Sequence, residues 1–172
     1  MSIINSNPLL ASGTDGYQIS RSLRFNSADS AYLNRTPASA GNQQKWTWSG
    51  WLKRGNANTY QRLFGTGDNN SVTNQTSINF DTNRLSFYNV NGGNKTTTAV
   101  FRDHSAWYHV VVIWDSNNAT ATDRIQIYVN NQRQTAFDSG ADPSSGINTV
   151  VNSTAEHRIG TLPVNAGNYF DG

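Results

Sequence analysis

The sequence predicts an all-β protein: a two-sheet antiparallel jelly-roll sandwich with little or no helix. Its 172 residues include 23 Asn and 17 Thr, whereas the residues that usually fill helices are scarce and Glu156 is the only glutamate. Asn favours turns, and Thr fits the half-buried surface of a strand. Short segments of alternating apolar and polar residues recur along the chain, with turn residues and no helical pattern between them. This spacing is typical of an antiparallel sandwich.

The first half of the chain contains one strong strand signal and several weaker ones. Residues 45–53 (KWTWSGWLK) combine aromatic and β-branched residues with a period of two, which indicates a strand. A hairpin is predicted where residues 76–80 and 84–88 flank a short loop. Shorter strands are predicted at residues 22–25, 31–33, 61–64 and 96–100.

The second half contains the most apolar segment. Residues 107–114 (WYHVVVIW) predict a central strand. Residues 124–133 predict a second hairpin, because Asn130 and Asn131 can occupy the two positive-φ positions of a tight turn. Residues 138–153 are interpreted as a long polar loop, and residues 157–160 as a short strand.

Two parts of the chain differ in composition. Residues 1–20 are rich in Ser, Asn and Gly and predict an N-terminal arm or leader. Residues 21–172 contain every strand signal and predict a single sandwich domain, since a chain of this length is enough to bury one core.

Three segments, in order, resemble the laminin-G and concanavalin A-like superfamily of lectins and glucanases. They are residues 46–53 (WTWSGWLK), 107–112 (WYHVVV) and 127–131 (IYVNN). The first residues of the domain and the WTWSGW segment are similar to N-terminal laminin-G-like domains in large structural proteins of marine bacteriophages. In those domains the final Phe-Asp-Gly of this chain is normally followed by one more strand. The resemblance therefore implies that the sandwich lacks its last strand, or that residues outside this chain supply it.

Composition argues against several classes of function. Charged residues make up only 14% of the chain, the net charge is +2, and no run of Lys or Arg is present. Nucleic-acid binding requires a clustered positive surface, so no nucleic-acid partner is expected. No apolar stretch approaches the length of a membrane span, so no membrane insertion is expected. The absence of cysteine rules out disulfides and thiolate chemistry, and it fits a protein assembled in a bacterial cytoplasm.

Catalytic residues are not predicted. Glycoside hydrolases of the related fold use paired carboxylates, and Glu156 is the only glutamate available. The three histidines, His104, His109 and His157, lack the spacing of a metal site, and all three are expected to be structural. The sequence therefore predicts a protein that is not an enzyme.

Calcium is the one ion that the resemblance brings into consideration, since some related domains bind it at the rim of the sandwich. The candidate oxygen-rich segments are residues 68–70 (DNN) and 115–118 (DSNN). Such clusters are more often plain turns whose side chains bond their own backbone. No metal site and no cofactor are predicted from them.

Aromatic side chains are the better candidates for a binding site. By the period of two, Trp46, Trp48, Gly50 and Leu52 share one face of a strand, and Trp51 lies on the other. The same reasoning places Tyr88 and Tyr128 opposite aliphatic neighbours. The carbohydrate-binding residues proposed from the sequence are thus Trp51, Tyr88 and Tyr128, because aromatic rings stack on sugar faces. The alternative is that these rings pack beneath loops or against a neighbouring subunit.

The function expected from these observations is a structural or adhesion module without enzymatic activity. The phage resemblance implies a place in a bacteriophage virion, in a tail fibre, spike or decoration. Its expected partners are other virion proteins or copies of itself, and a host-surface glycan. An extracellular particle assembled in the bacterial cytoplasm is the expected location. The alternatives are a free-standing lectin-like module of a bacterial surface protein and, less favoured, a glycoside hydrolase.

Overall fold

The computed structural model describes residues 21–57, 59–67, 74–163 and 167–172. It confirms the predicted fold class, an antiparallel sandwich of two β-sheets. The predicted arm at residues 1–20 lies outside the described residues. The eleven strands found in the described parts of the chain are β1 (Leu33–Arg35), β2 (Lys45–Leu52), β3 (Gln61–Gly67), β4 (Gln75–Asp81), β5 (Arg84–Asn89), β6 (Asn94–Thr97), β7 (Tyr108–Asp115), β8 (Ile125–Val129), β9 (Gln132–Arg133), β10 (Phe137–Ala141) and β11 (Glu156–Ile159).

One sheet has seven strands in the order β1-β11-β3-β4-β5-β6-β10, and the other has four in the order β2-β7-β8-β9. Strand β7 is internal to the smaller sheet, as the apolar run at residues 107–114 predicts. Helical structure in the described residues is limited to two 3-10 turns of three residues each, Ser27–Asp29 and Ala121–Asp123. No helix in the described parts of the chain has the length and apolar character needed to cross a membrane.

The core lies between the two sheets and is rich in aromatic rings. Phe87 of the larger sheet contacts Trp46 and Trp114 of the smaller one, with ring centroids 6.1 and 5.7 Å apart. Trp114 and Phe87 are fully buried. Burial follows the alternation predicted for β2, β5 and β8, so the inward and outward faces of these strands are confirmed.

Both predicted hairpins form. Asn130 and Asn131 connect β8 to β9 with φ values of 50° and 64°, the positive pair that a primed turn requires. Thr82 connects β4 to β5 with φ of 59°. These turns fix the register of the strands that they join.

Two local predictions are wrong. Residues 22–25 form no strand; instead Phe25 and Gly172 exchange two backbone hydrogen bonds of 2.7 and 3.1 Å. Residues 138–153 are only partly a loop, because β10 pairs with β6 along the edge of the larger sheet. Val150 and Val151 of the remaining segment are buried. In both places long-range pairing, which the local pattern does not contain, decides the structure.

Strand β2 forms an edge of the smaller sheet, and no other described strand pairs with its free side. The backbone carbonyl of His109 accepts from Asn130 N–H at 2.8 Å, so the backbone of His109 faces β8. Trp51 lies directly opposite His109 and therefore directs its own N–H and C=O away from β7. By alternation the same holds for Lys45, Thr47 and Ser49. Four residues of β2 thus present their backbone groups at the free edge.

Candidate functional site

The outer side of the four-stranded sheet carries an exposed aromatic surface, which we name the aromatic face. Its rows follow from the strand register: Trp51 lies opposite His109, and the next row runs from Ser49 through Val111 and Tyr128 to Arg133. The side chains that define it are Thr47, Ser49, Trp51, His109, Val111, Ile113, Gln126, Tyr128 and Arg133.

Trp51 is the most exposed residue of this surface with a large apolar side chain. The residue is 58% exposed, although its indole stacks on the ring of His109 with centroids 4.9 Å apart and planes inclined by 20°. His109 Nε2 lies 3.0 Å from Ser49 Oγ, so the imidazole is itself held in place. Trp107, just before β7, is 51% exposed at the same end of the sheet. The indole of Trp51 is therefore supported on one side and presented to solvent.

Tyr128 is half-buried and held by a chain of hydrogen bonds. Its hydroxyl donates to Gln126 Oε1 at 2.9 Å, and Gln126 Nε2 donates to the backbone oxygen of Asp123 at 3.1 Å. The Asp123 carboxylate pairs with Arg133. The hydrogen bond to this carboxylate raises the pKa of Arg133. Tyr128 is thus linked to the charged groups at the far edge of the sheet.

Tyr88, the third residue proposed from the sequence, lies on the other sheet. It belongs to β5, where it stands opposite Ser77 and Asn94, and its neighbour Phe87 points into the core. The outward orientation predicted for all three aromatic residues holds. The structure brings Trp51 and Tyr128 to one face and places Tyr88 on the opposite side of the sandwich.

A cleft of about 610 Å³ opens where the edges of the two sheets approach each other, and no sequence pattern predicts it. It lies between β10 of the larger sheet and residues 122–135 of the smaller one. Lys95 is buried there, with Nζ 2.9 Å from Asp142 Oδ1 and donating to the backbone oxygens of Thr122 and Ile125. The same Nζ lies 4.9 Å from the centroid of the Phe137 ring.

Glu156, the only glutamate, is engaged in structural contacts. Its two carboxylate oxygens each accept from Arg158, at 2.9 Å from Nε and 2.9 Å from Nη2. Oε1 also accepts from Asn34 Nδ2 at 2.9 Å, which joins β11 to β1. This carboxylate stabilises the edge of the larger sheet.

His157 has a structural position. Its Nδ1 lies 2.8 Å from the backbone oxygen of Ala155, and its Nε2 accepts from Asn152 N–H at 3.0 Å. Burial lowers the pKa of His157, and the charge of Arg35 lowers it further, against the opposing effect of the Ala155 hydrogen bond. His104 lies in an exposed loop.

The oxygen-rich segment at residues 115–118 is a turn bonded to its own surroundings. The Asp115 carboxylate pairs with Lys45 at 2.8 Å, and Asn118 Oδ1 accepts from Thr120 N–H at 2.9 Å. Asn117 Nδ2 donates to Gln44 Oε1 at 3.0 Å. The other calcium candidate, residues 68–70, lies outside the described residues. Across the described ranges, no group of three or more His, Asp or Glu residues is placed to hold a metal ion.

Comparison with known families supports the assignment of the fold. A laminin G family model, described as the concanavalin A-like lectin/glucanases superfamily, matches residues 25–172. The chain belongs to this superfamily. A search of curated proteins found no matching sequence.

Solved structures share the fold at low sequence identity. Domains LG4-5 of the mouse laminin alpha1 chain match with 12% identity and a TM-score of 0.57, over 81% of this chain and 34% of that one. This chain therefore spans about a third of the laminin chain. The Ruminococcus gnavus IT-sialidase CBM40 bound to alpha2,3 sialyllactose matches with 12% identity and a TM-score of 0.54, over 83% of this chain and 86% of that one. The complex of the same module with alpha2,6 sialyllactose gives a TM-score of 0.56, also at 12% identity, over 81% of this chain and 87% of that one.

Proposed function

We propose that this protein is a non-catalytic carbohydrate-binding module and that the aromatic face carries its site. The observation that carries the proposal is Trp51, a residue that is 58% exposed although its indole stacks on the ring of His109. Holding a large apolar ring in solvent has no evident benefit for folding. A pre-oriented ring is instead what a sugar needs, because its C–H face packs on the aromatic surface.

Polar groups around the ring supply the second part of such a site. Ser49, Gln126 and Tyr128 lie on the same face as Trp51 and offer hydroxyl and amide groups to sugar hydroxyls. The superfamily includes lectins, and two structures of one module with the same fold contain bound sialyllactose. These comparisons support a glycan ligand, and the aromatic face supplies a suitable surface for it.

The test is a glycan array that includes bacterial surface polysaccharides, followed by calorimetric titration of the strongest ligand. We expect the wild type to bind and Trp51→Ala to lose at least roughly tenfold in affinity, which corresponds to about 1.4 kcal/mol. Tyr88→Ala is the matched control, since it removes an aromatic ring from the opposite sheet and should leave affinity unchanged. Circular dichroism of each variant checks that the fold is intact.

Three outcomes would overturn parts of this assignment. A wild-type protein that binds no glycan would refute the carbohydrate-binding function. Loss of binding in a folded Tyr88→Ala variant, with Trp51→Ala unaffected, would move the site to the other sheet. Reducing-sugar release that Glu156→Gln abolishes would refute the non-catalytic assignment, which the engagement of Glu156 with Arg158 supports.

We also propose that the module serves as an adhesion domain in a bacteriophage virion, with other virion proteins or further copies of itself as neighbours. The support is the resemblance of residues 46–51 (WTWSGW) and the opening of the domain to phage structural proteins, together with the absence of cysteine. Mass spectrometry of purified particles should detect the chain, and cryo-electron microscopy should show it on the particle surface. A chain found only as a soluble cytoplasmic protein, with no associated particle, would contradict this setting.

A further inference from the structure

We infer that the binding site extends from Trp51 across the aromatic face into the cleft beside β10, so that the ligand is an extended glycan with an uncharged unit in the cleft. This inference rests on the proposed function and deepens it. It goes beyond a single stacked sugar because it assigns the length of the ligand and the chemistry of one of its units.

The aromatic face and the cleft form one continuous surface. Arg133 stands opposite Tyr128 on the sheet and also lines the cleft, as does its partner Asp123. The hydrogen bonds from Tyr128 through Gln126 to the backbone of Asp123 span the boundary between them. A ligand that lies on Tyr128 therefore reaches the mouth of the cleft by passing Arg133 of β9.

The length of this surface exceeds one sugar. From β2, which carries Trp51, to β9, which carries Arg133, there are three strand spacings, or about 14 Å. A monosaccharide cannot contact both ends at once. A chain of several linked sugars, lying across the strands, can place one ring on Trp51 and another in the cleft.

The charges of the cleft point to an uncharged unit. Each cation among its lining residues already has a carboxylate partner: Lys95 pairs with Asp142, and Arg133 with Asp123. The third lining carboxylate, Asp138, pairs with Arg84. Lys95 directs its remaining donors at two backbone oxygens. An acidic sugar would find no unmatched cation among these lining residues, whereas the carboxylates and the side chains of Gln134 and Thr135 can bond hydroxyl groups.

The experiment is a length series measured by calorimetry on the intact chain. The probes are cello-, xylo- and manno-oligosaccharides from the monosaccharide to the hexasaccharide, with sialyllactose and oligogalacturonate as acidic comparators. Thr135→Arg narrows the cleft with a bulky side chain, and Thr154→Arg places the same side chain on an exposed loop as the matched control. Trp51→Ala tests the other end of the site.

We expect affinity for one uncharged series to rise at least roughly tenfold with length, about the contribution of one or two added hydrogen bonds. Thr135→Arg should remove most of that rise and leave the shortest ligands unaffected, whereas Trp51→Ala should weaken every length. This inference would be overturned, with the proposed function left standing, if Thr135→Arg bound oligosaccharides of every length as tightly as the wild type does. The same would follow if the wild type bound the acidic glycans most tightly. Failure of the wild type to bind any glycan would overturn both.

Discussion

Replacement of Arg54 tests how a buried cation stabilises the end of β2, three residues after Trp51. The Arg54 side chain is 1% exposed, and its guanidinium lies 4.2 Å from the centroid of the Phe80 ring. It donates to the backbone oxygens of Phe101 and Thr82 at 2.6 and 2.8 Å, and to Asn83 Oδ1 at 3.2 Å. These acceptors are all neutral. Burial accordingly lowers the pKa of Arg54.

The expected cost of Arg54→Ala follows from these contacts. Hydrogen bonds to a charged group contribute about 1.5–3 kcal/mol each. The loss of these three bonds is offset in part, because Arg54→Ala no longer has to bury a charged guanidinium, which costs the wild type several kcal/mol on folding. We expect a net loss of roughly 2–4 kcal/mol in the free energy of unfolding. The free energy of unfolding of Arg54→Lys should lie between those of the wild type and Arg54→Ala, since an ammonium group cannot make the same set of hydrogen bonds as the planar guanidinium.

Urea titration followed by tryptophan fluorescence measures the change, and thermal melting by circular dichroism should show a decrease in Tm of roughly 5–15 °C. Arg102→Ala removes an exposed arginine and is the matched control, expected to stay within about 0.5 kcal/mol of the wild type. An Arg54→Ala variant as stable as that control would refute this prediction, because the hydrogen bonds and ring contact of Arg54 would then only balance the cost of burying its charge.

Further predictions concern the binding site, the pH dependence of stability and the packing of β3. His109→Ala should weaken glycan binding by roughly twofold to tenfold through loss of the stacked support of Trp51, and unchanged affinity would contradict that role. Because the pKa of His157 is lower in the folded chain, the unfolded chain binds a proton at this residue below a pH of about 6.5 more readily than the folded chain does. The free energy of unfolding should therefore decrease as the pH falls below that value. In urea titrations repeated at several pH values, the free energy of unfolding of His157→Gln should decrease less with falling pH than that of the wild type. An identical pH dependence in the two proteins would show that His157 is not the cause. A Cβ at Gly65 would lie 2.5 Å from Leu162 Cδ1, so Gly65→Ala should destabilise the fold by about 1–3 kcal/mol, as chemical denaturation can show.

Much of the local structure could be predicted from the sequence because strand alternation is a local property. Trp46 and Trp114 are buried while Trp51 is exposed, and the period of two distinguishes them without further information. The hairpin at Asn130 and Asn131 follows in the same way from the backbone conformations that Asn tolerates.

The arrangement of the candidate site depends on long-range pairing, which the sequence pattern does not contain. Alternation assigns Tyr88 and Tyr128 to outward faces, but it does not say that β5 and β8 belong to different sheets. The stacking of Trp51 on His109 requires the register between β2 and β7. The cleft depends on the pairing of Lys95 with Asp142, residues far apart in the chain.

The free edge of β2 links assembly to recognition. Thr47, Ser49 and Trp51 present backbone groups at that edge and side chains on the aromatic face, because both follow from the same alternation. A strand that pairs there would place every second side chain level with Trp51. A segment that completes the sheet would therefore also widen the surface offered to a ligand, so a neighbour in an assembly would contribute to specificity without replacing any side chain of the existing face.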